Sequence, residues 1–495
     1  MNPVCAQALG RGHIVVANQA GSIELMHQVA RQGESPETDV VVVGGGYGGF
    51  AAALEARQQG ATVTVLIRTG LLSNCSAMSG GGIALVNTPL QRQLGIEDSA
   101  ELFAQDLFRA NNHRVDAELV ETMAHGSAEL YDWVVDLGSS FEWLIPWSGH
   151  SVLRVHYVVG DLDHGIGGHG QGGRLVKLLL ETAKARGIEV RLGTAATGLI
   201  ADETGTVVGV KARDKQDRVT EIAARRGVVL AAGGYGRNKE MMQKYVPDLA
   251  DWPVVSAGGS TGDGISMGME IGAQALYMDT VLMVYGVRVS KGKATERLGA
   301  ALRRGLSEGI AVNKDGRRFM DESWSYSRGT SRIMRQKDRI AFVVFDEETR
   351  DKAQLTPEDE VVTGATPEDL AARLGIDQRS LAETISGHNE AVLKVYNYGY
   401  PGQRRPLSGR LFSIPFSGSI VTTHGGLKIN RQAQVIHQKG HAIPGLYAAG
   451  DNAAGIGGPS QGYNATPGYL SGCGNGAALV FGRIAGRNAG KGNPA

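Results

Sequence analysis

The stretch that most restricts the fold is "TDVVVVGGGYGGFAAALEARQQGATVTVLIR", Thr38–Arg68. Val40–Val43 is a short apolar run of the kind buried in a parallel sheet, and "ATVTVLI" is a second. Glycines make the turn between them and Phe50–Gln59 has helical character, so the three pieces form a β-α-β unit. Gly44, Gly46 and Gly49 stand in G-x-G-x-x-G register, with Tyr47 and Gly48 inside it. That register serves a dinucleotide: it allows a tight turn, close approach of a pyrophosphate and close helix–sheet packing. The helix N-terminus adds backbone N–H groups and the positive end of its dipole. The second strand departs from the pattern at its end. An acidic residue is expected there to accept hydrogen bonds from the adenosine ribose, but the chain reads Leu66-Ile67-Arg68. Ile67 cannot accept, so backbone and a neighbour such as Arg68 are expected to hold the ribose.

At 495 residues the chain exceeds one ordinary core, and two or three domains are expected. Its 50 basic and 50 acidic residues balance without a basic patch or tail, which argues against nucleic acid or a membrane surface as main partner. Glycine supplies 71 residues, about twice the usual share, in short clusters that suit backbone lying against a large cofactor. Cys5, Cys75 and Cys473 offer neither a disulfide framework nor metal spacing, as in a reducing compartment. No signal sequence is read at the start and no apolar run reaches membrane-spanning length, so the expectation is cytoplasmic, with no membrane span. Nothing in the sequence specifies an oligomeric state.

Strand-then-glycine punctuation recurs along the chain. "VVLAAGG" ends at Ala232-Gly233 and "LYAAGD" at Gly450-Asp451. The small-residue loop "SNCSAMSGGGIAL" brings Ser76, Ala77, Gly81 and Gly82, and a hairpin carries Ala196 and returns with Val207–Val210. "PGYLSGCGNGAALVFG", Pro467–Gly482, sets Tyr469 and Ser471 before a helix that opens near Gly474 and Asn475. The middle of the chain is richer in charge and helix signals and interrupts these glycine-rich halves, as an inserted domain would.

In their order, "GGGYGG", "SAMSGGGI", "VVLAAGGYGRN", "TGDGISMGMEIGA", "IAVNKDGRRFMDES", "THGGLKIN", "IPGLYAAGD" and "GAALVFGRIAG" resemble the flavoprotein superfamily of fumarate reductase, succinate dehydrogenase and 3-ketosteroid dehydrogenase. The resemblance spans Thr38–Gly490 and implies an α/β fold with extended FAD. The expected fold is a Rossmann-like FAD-binding domain built from both chain ends, with an inserted α+β capping domain over the substrate. The expected division is an N-terminal extension 1–36, FAD-binding parts 37–265 and 406–490, the capping domain 266–405 and a tail 491–495. The implied chemistry moves a hydride between flavin N5 and one carbon while a side chain handles a proton on the next carbon. The glycines, Tyr47, Arg68, Ser76, Ala77, Ala196, Ala232, Asp451 and Asn475 named above are the expected cofactor contacts.

At the catalytic positions the chain is similar to the ketosteroid branch. Fumarate reductases carry an arginine proton donor after "RF-x-x-E", where this chain has Tyr326, and a second arginine in the last glycine-rich loop, where it has Tyr469. Their middle-domain His-Pro is Val284-Tyr285 here, and only the histidine before Gly-Gly is kept, as His424. Tyr469-Leu470-Ser471 matches the Tyr-x-Ser of ketosteroid dehydrogenases. The resemblance therefore implies Tyr326 as base or acid, Tyr469 with Ser471 as carbonyl or relay partners, and His424 on a carboxylate, on a ketone or in a structural role. A free phenol ionises near pH 10; two hydroxyls and a helix N-terminus are expected to lower that. A small-molecule substrate and an external electron acceptor are the implied partners. Tricarballylate dehydrogenases also resemble the chain at "GYLSGCG", so a polar carboxylate such as tricarballylate or fumarate is the alternative. The histidines His150, His156, His164 and His169, with Asp161 and Asp163, match no metal spacing and read as a polar mobile loop over the site. Arg154, His156 and Tyr157 in that segment also favour a polar substrate, and Arg350 reads as a solvated helix charge.

Overall fold

The computed structural model describes residues 37–69, 73–145, 149–159, 172–290, 293–297, 300–322, 326–353, 355, 360–394, 405–459 and 468–492. The extension 1–36 and His164, His169, Asp161 and Asp163 lie outside them. The apolar runs build one sheet. Its parallel neighbours run, in order, Ala442–Ala448, Val219–Leu230, Glu37–Val43, Val63–Ile67 and Glu189–Leu192. The hairpin Ala195–Ala201 and Val207–Arg213 joins it antiparallel through Val219–Leu230. Val40, Val41 and Val42 are fully buried, as a strand covered on both faces requires. Strand order reverses between Glu37–Val43 and Val219–Leu230, and such a switch point opens a crevice at the carboxyl ends. Gly44 sits there with φ +116°, and a Cβ on it would lie 2.1 Å from the Ala231 carbonyl oxygen. No other residue type fits both constraints.

The first helix, Tyr47–Gln58, packs along the closing helix, Cys473–Lys491, nearly backbone to backbone. Gly482, Gly486 and Gly490 repeat every four residues and therefore share one face. Added Cβ atoms would lie 2.4 Å from the Gly48 oxygen, 2.1 Å from the Ala52 oxygen and 2.9 Å from the Ala56 Cα. Both series ascend together, so the helices run parallel. Buried Glu55 clamps the pair, accepting from Arg483 Nε at 2.6 Å and Arg487 Nε at 2.8 Å. Gly482 is level with Gly48, whereas the closing helix begins nine residues before Gly482, so it projects about 12 Å beyond the start of the first helix. Its N-terminus is thus carried past the glycine turn.

A second, antiparallel sheet runs Lys293–Arg297, Val281–Ser290, Leu411–Thr423, Ala341–Asp346, Ile310–Val312, with Val362–Gly364 also on Leu411–Thr423. Leu411–Thr423 lies after the expected boundary at 405/406 yet is central in this sheet, and Ala275–Leu276, expected in the insert, pairs with Gly426–Leu427 instead. On this pairing we place the limits of the inserted unit at Val281 and Thr423. A small third sheet, Gly82–Ala84, Val155–Val159 and Ser140–Ile145, supports the cleft wall. Among the described residues no helix is long and apolar enough to cross a membrane.

If the glycine face sets the helix spacing, Gly486→Ala will cost about 1–3 kcal/mol by overpacking. Denaturant unfolding of the FAD-loaded protein measures this, and an unchanged midpoint would show that the helices can separate freely.

Candidate active site

The cleft at the switch point encloses about 340 Å³, against about 40 Å³ for a cavity behind His424 and Tyr469. Gly44, Gly46, Tyr47, Gly48, Arg68, Ser76, Gly82, Ala196, Ala232, Gly233, Gly450, Asp451, Gly474 and Asn475 all line it. Gly49, Ala77 and Gly81 are outside this wall. Gly49 packs the turn, where a Cβ would lie 2.0 Å from the Gly44 oxygen, and the Ala77 N–H donates to Asn74 Oδ1 at 2.9 Å. Tyr47 contributes main chain: its hydroxyl turns away to donate to the Gly172 carbonyl at 3.1 Å, and its N–H donates to Ser76 Oγ at 3.1 Å.

The residues fit a dinucleotide. A Cβ added to Gly233 or Gly450 would meet nothing nearer than 3.9 and 3.8 Å, so bare backbone faces open cleft at both strand ends. Two helix N-termini, at Tyr47 and Cys473, address the same space. Ile67 turns its side chain onto Gly45, leaving Arg68 in the cleft. Arg68 Nη1 donates to Asp263 Oδ2 at 2.8 Å and also to Thr261. A carboxylate is therefore present at this end, brought by the helix Asp263–Glu270 rather than by the second strand.

Three other positions, Asn452, Asn74 and Thr422, were not foreseen, and a fourth, Tyr157, is read in the sequence only as favouring a polar substrate. Asn452 accepts from the Ala232 N–H at 2.6 Å and donates to the Gly233 carbonyl at 2.8 Å, pinning one glycine-marked strand end to the other. Asn74 caps the short helix Cys75–Met78 and donates to the Gly45 carbonyl at 3.0 Å. Thr422 Oγ1 donates to Asp451 Oδ2 at 2.6 Å; burial raises that carboxyl above its usual range despite the bond. Tyr157 lines the wall opposite. Asparagines in glycine-rich loops were the available signal, since they cap and bridge backbone.

The four catalytic candidates come together. Tyr469 stands between Tyr326, with ring centroids 5.8 Å apart, and His424, edge-on at 5.3 Å. Tyr326 opens the helix Tyr326–Ile333, His424 follows the strand Leu411–Thr423, and Tyr469 and Ser471 precede the closing helix. Gly472, with φ +75°, lets that turn press against the strand Gly82–Ala84: a Cβ would lie 2.7 Å from the Ala84 nitrogen. The Gly474 N–H donates to the Tyr469 hydroxyl oxygen at 3.3 Å. The Tyr469 and Ser471 hydroxyls beside Tyr326 favour its phenolate. Burial still outweighs them: Tyr326 is pushed up to about 12, and Tyr469, next to Tyr326, rises well above its ordinary value. The expected lowering is overturned because desolvation of the phenolate is the larger effect. His424 is held down to about 4 by burial, and its Nδ1 has no hydrogen-bond partner among the described residues.

The histidine segment is no polar loop where it is described. Arg154 is fully buried and takes Asp98 with Nε at 2.9 Å and Nη2 at 2.6 Å, and Asp106 with Nη1 at 2.7 Å. His156 is buried against Thr88 Oγ1 at 2.8 Å and donates from Nδ1 to the Arg154 carbonyl at 2.8 Å. Neither side chain reaches the cleft, so neither speaks for a polar substrate; Tyr157 alone does reach it. Arg350 is on a surface helix, paired with Glu347 at 3.2 Å.

A dinucleotide cleft with a cluster of buried hydroxyls and an imidazole at one end is the arrangement of a cofactor-dependent oxidoreductase. The family model described as FAD binding domain matches residues 39–469, and the chain belongs to that family. It is 32% identical over 466 residues to a protein named as a probable fumarate reductase of Shewanella frigidimarina, covering 93% of this chain and 76% of that one. It is 30% identical over 483 residues to the urocanate reductase of Eggerthella lenta, with 93% and 76% covered. The open conformation of a flavocytochrome c3 fumarate reductase superposes with TM-score 0.72 at 32% identity, covering 96% of this chain and 81% of that one. The 3-ketosteroid Δ4-(5α)-dehydrogenase of Rhodococcus jostii, bound to 4-androstene-3,17-dione, superposes with TM-score 0.77 at 27% identity, covering 94% and 99%. The cofactor is FAD, and the protein is an FAD-dependent oxidoreductase acting on CH–CH bonds.

The buried imidazoles make an acid-side prediction. His150, His156 and His424 each sit at about 4, whereas an unfolded histidine titrates near 6.5. Between these values the unfolded chain binds protons that the folded one does not, so stability falls as pH falls through that window. The slope is about 1.4 kcal/mol per pH unit for each histidine. Unfolding midpoints from pH 7 to pH 4 measure it, and a flat profile would contradict the neutral burial of these rings.

Proposed function

We propose that this flavoprotein is a dehydrogenase that introduces a carbon–carbon double bond beside a ketone, on a 3-ketosteroid-like substrate, and passes the electrons to an external acceptor. The packed hydroxyls of Tyr326, Tyr469 and Ser471 carry this reading, because they offer proton transfer and hydrogen bonding without a cation. Among the described residues the only arginine lining the cleft is Arg68, whose charge Asp263 neutralises, and no lysine lines it. A carboxylate substrate would therefore be desolvated with no guanidinium or ammonium to receive it, at a cost of several kcal/mol. Leu282, Val284, Leu302 and Val421 offer apolar wall to a hydrocarbon frame. The Rhodococcus ketosteroid dehydrogenase, matched over 99% of its length, supports the same substrate class.

FAD supplies the hydride acceptor. Tyr326 reacts from its phenolate form: Oη takes the proton from the carbon next to the ketone and becomes a neutral phenol as the hydride leaves the neighbouring carbon and the double bond forms. Tyr469 and Ser471 favour the phenolate that this step consumes, and the Gly474 N–H at the closing helix supports Tyr469. His424, neutral above pH 5, is available to donate to the ketone oxygen.

Two results follow. Tyr326→Phe will retain FAD and its visible spectrum while kcat for ketosteroid dehydrogenation drops about 10²–10⁴-fold; retention of near-normal turnover would remove Tyr326 from the chemistry. With Tyr326 near 12 as proton acceptor, the dehydrogenation rate will rise with pH through the neutral and mildly alkaline range. A profile flat from about pH 6 to 9 would contradict that assignment.

A further inference from the structure

The segment that does not reach the cleft is nevertheless joined to it. His150 Nε2 lies 2.9 Å from the backbone carbonyl oxygen of Ser471, and its Nδ1 lies 3.0 Å from Arg154 Nη1. A guanidinium can only donate, so Nδ1 is the acceptor and the ring proton sits on Nε2, aimed at Ser471. The tautomer is thus dictated by Arg154. Burial and the charge of Arg154 hold His150 at about 4, so the ring stays neutral and the donor stays single. Arg154 has no freedom of its own, since Asp98 and Asp106 bind it and the Phe103 ring stacks on it at 4.7 Å. The Ser151 N–H and hydroxyl, both at 2.9 Å from Asp106 Oδ2, tie the next residue to the same carboxylate.

The other end of this chain of bonds is the catalytic turn. Ser471 is followed by Gly472, whose carbonyl accepts from the Ala84 N–H at 3.2 Å. Two successive carbonyls of the turn are therefore held, one by a side chain and one by the small sheet. We propose that His150 is a positioning residue: through its Nε2–H on the Ser471 carbonyl it fixes the Ser471 hydroxyl against Tyr326. This rests on the hydroxyl-cluster reading of the site.

The glutamine amide can place an acceptor toward Arg154 and a donor toward Ser471, whereas phenylalanine can do neither. In the FAD-loaded protein, His150→Phe will speed amide hydrogen exchange about fivefold or more in a peptide covering 468–475, while His150→Gln will not. In ketosteroid turnover, His150→Phe will lower kcat about tenfold with KM changed less than about twofold, and His150→Gln will restore it. In a Ser471→Ala background the same His150→Phe change will cost less than about twofold, because its effect runs through that hydroxyl. If His150→Phe does not load FAD, His150→Asn withdraws the donor by shortening the side chain and takes its place in each measurement. Unchanged exchange over 468–475, or full additivity with Ser471→Ala, would overturn the proposal. The exchange measurement needs no substrate, so its outcome stands even if no ketosteroid is turned over, a result that would count against the substrate reading instead.

Discussion

Everything at the site depends on two helices lying closer than side chains normally permit. Gly482, Gly486 and Gly490 bring the closing helix onto Gly48, Ala52 and Ala56 of the first helix, and Glu55 locks the pair through Arg483 and Arg487. Because the helices are parallel, both positive ends point the same way. Because the closing helix starts earlier, one end meets the glycine turn and the other reaches about 12 Å farther, to Tyr469 and Ser471. The glycine turn and the Tyr469–Ser471 turn are thus set out along one rigid ruler made from the two extremes of the described chain. The inserted sheet then has only to present Tyr326 and His424 to a turn already in place.

Within the site the deciding quantity is desolvation. It raises Tyr326 more than Tyr469 and Ser471 lower it, and it raises Tyr469 together with the neighbouring Tyr326, so the cluster rests as neutral phenols. It neutralises His424 for the same reason. A cleft that discourages every charge around its reacting end suits a ketone, whose negative charge appears only as the proton departs. Charge is kept where it is fully matched, behind the wall at Arg154 with Asp98 and Asp106, and at Arg68 with Asp263.

The sequence made the local pieces legible. The turn Gly44–Gly49 could be placed because strand, turn and helix follow one another within about thirty residues, and Tyr326, Tyr469, Ser471 and His424 could be singled out because each sits inside or just after a motif. What stayed hidden depends on distant partners. Arg154 and His156 looked solvated because their counter-groups, Asp98, Asp106 and Thr88, lie 48 to 68 residues away. The Arg68 end of the cleft looked deficient because the carboxylate there, Asp263, comes from 195 residues beyond Arg68. The strand Leu411–Thr423 was assigned to the cofactor domain by its position, while hydrogen bonding gives most of it to the insert. The sense of the phenol shifts was misjudged because a one-dimensional reading lists hydrogen-bond donors but cannot count the water removed.

The most direct measurement is the anaerobic half-reaction of the FAD-loaded protein. Mixed with a ring-saturated 3-ketosteroid, the yellow flavin should bleach as the unsaturated ketone forms, while tricarballylate leaves it oxidised; the dithionite-reduced protein should be slow to recover its colour with fumarate. Bleaching by tricarballylate, or rapid reoxidation by fumarate with no response to any ketosteroid, would contradict an uncharged, hydroxyl-based site for a ketone.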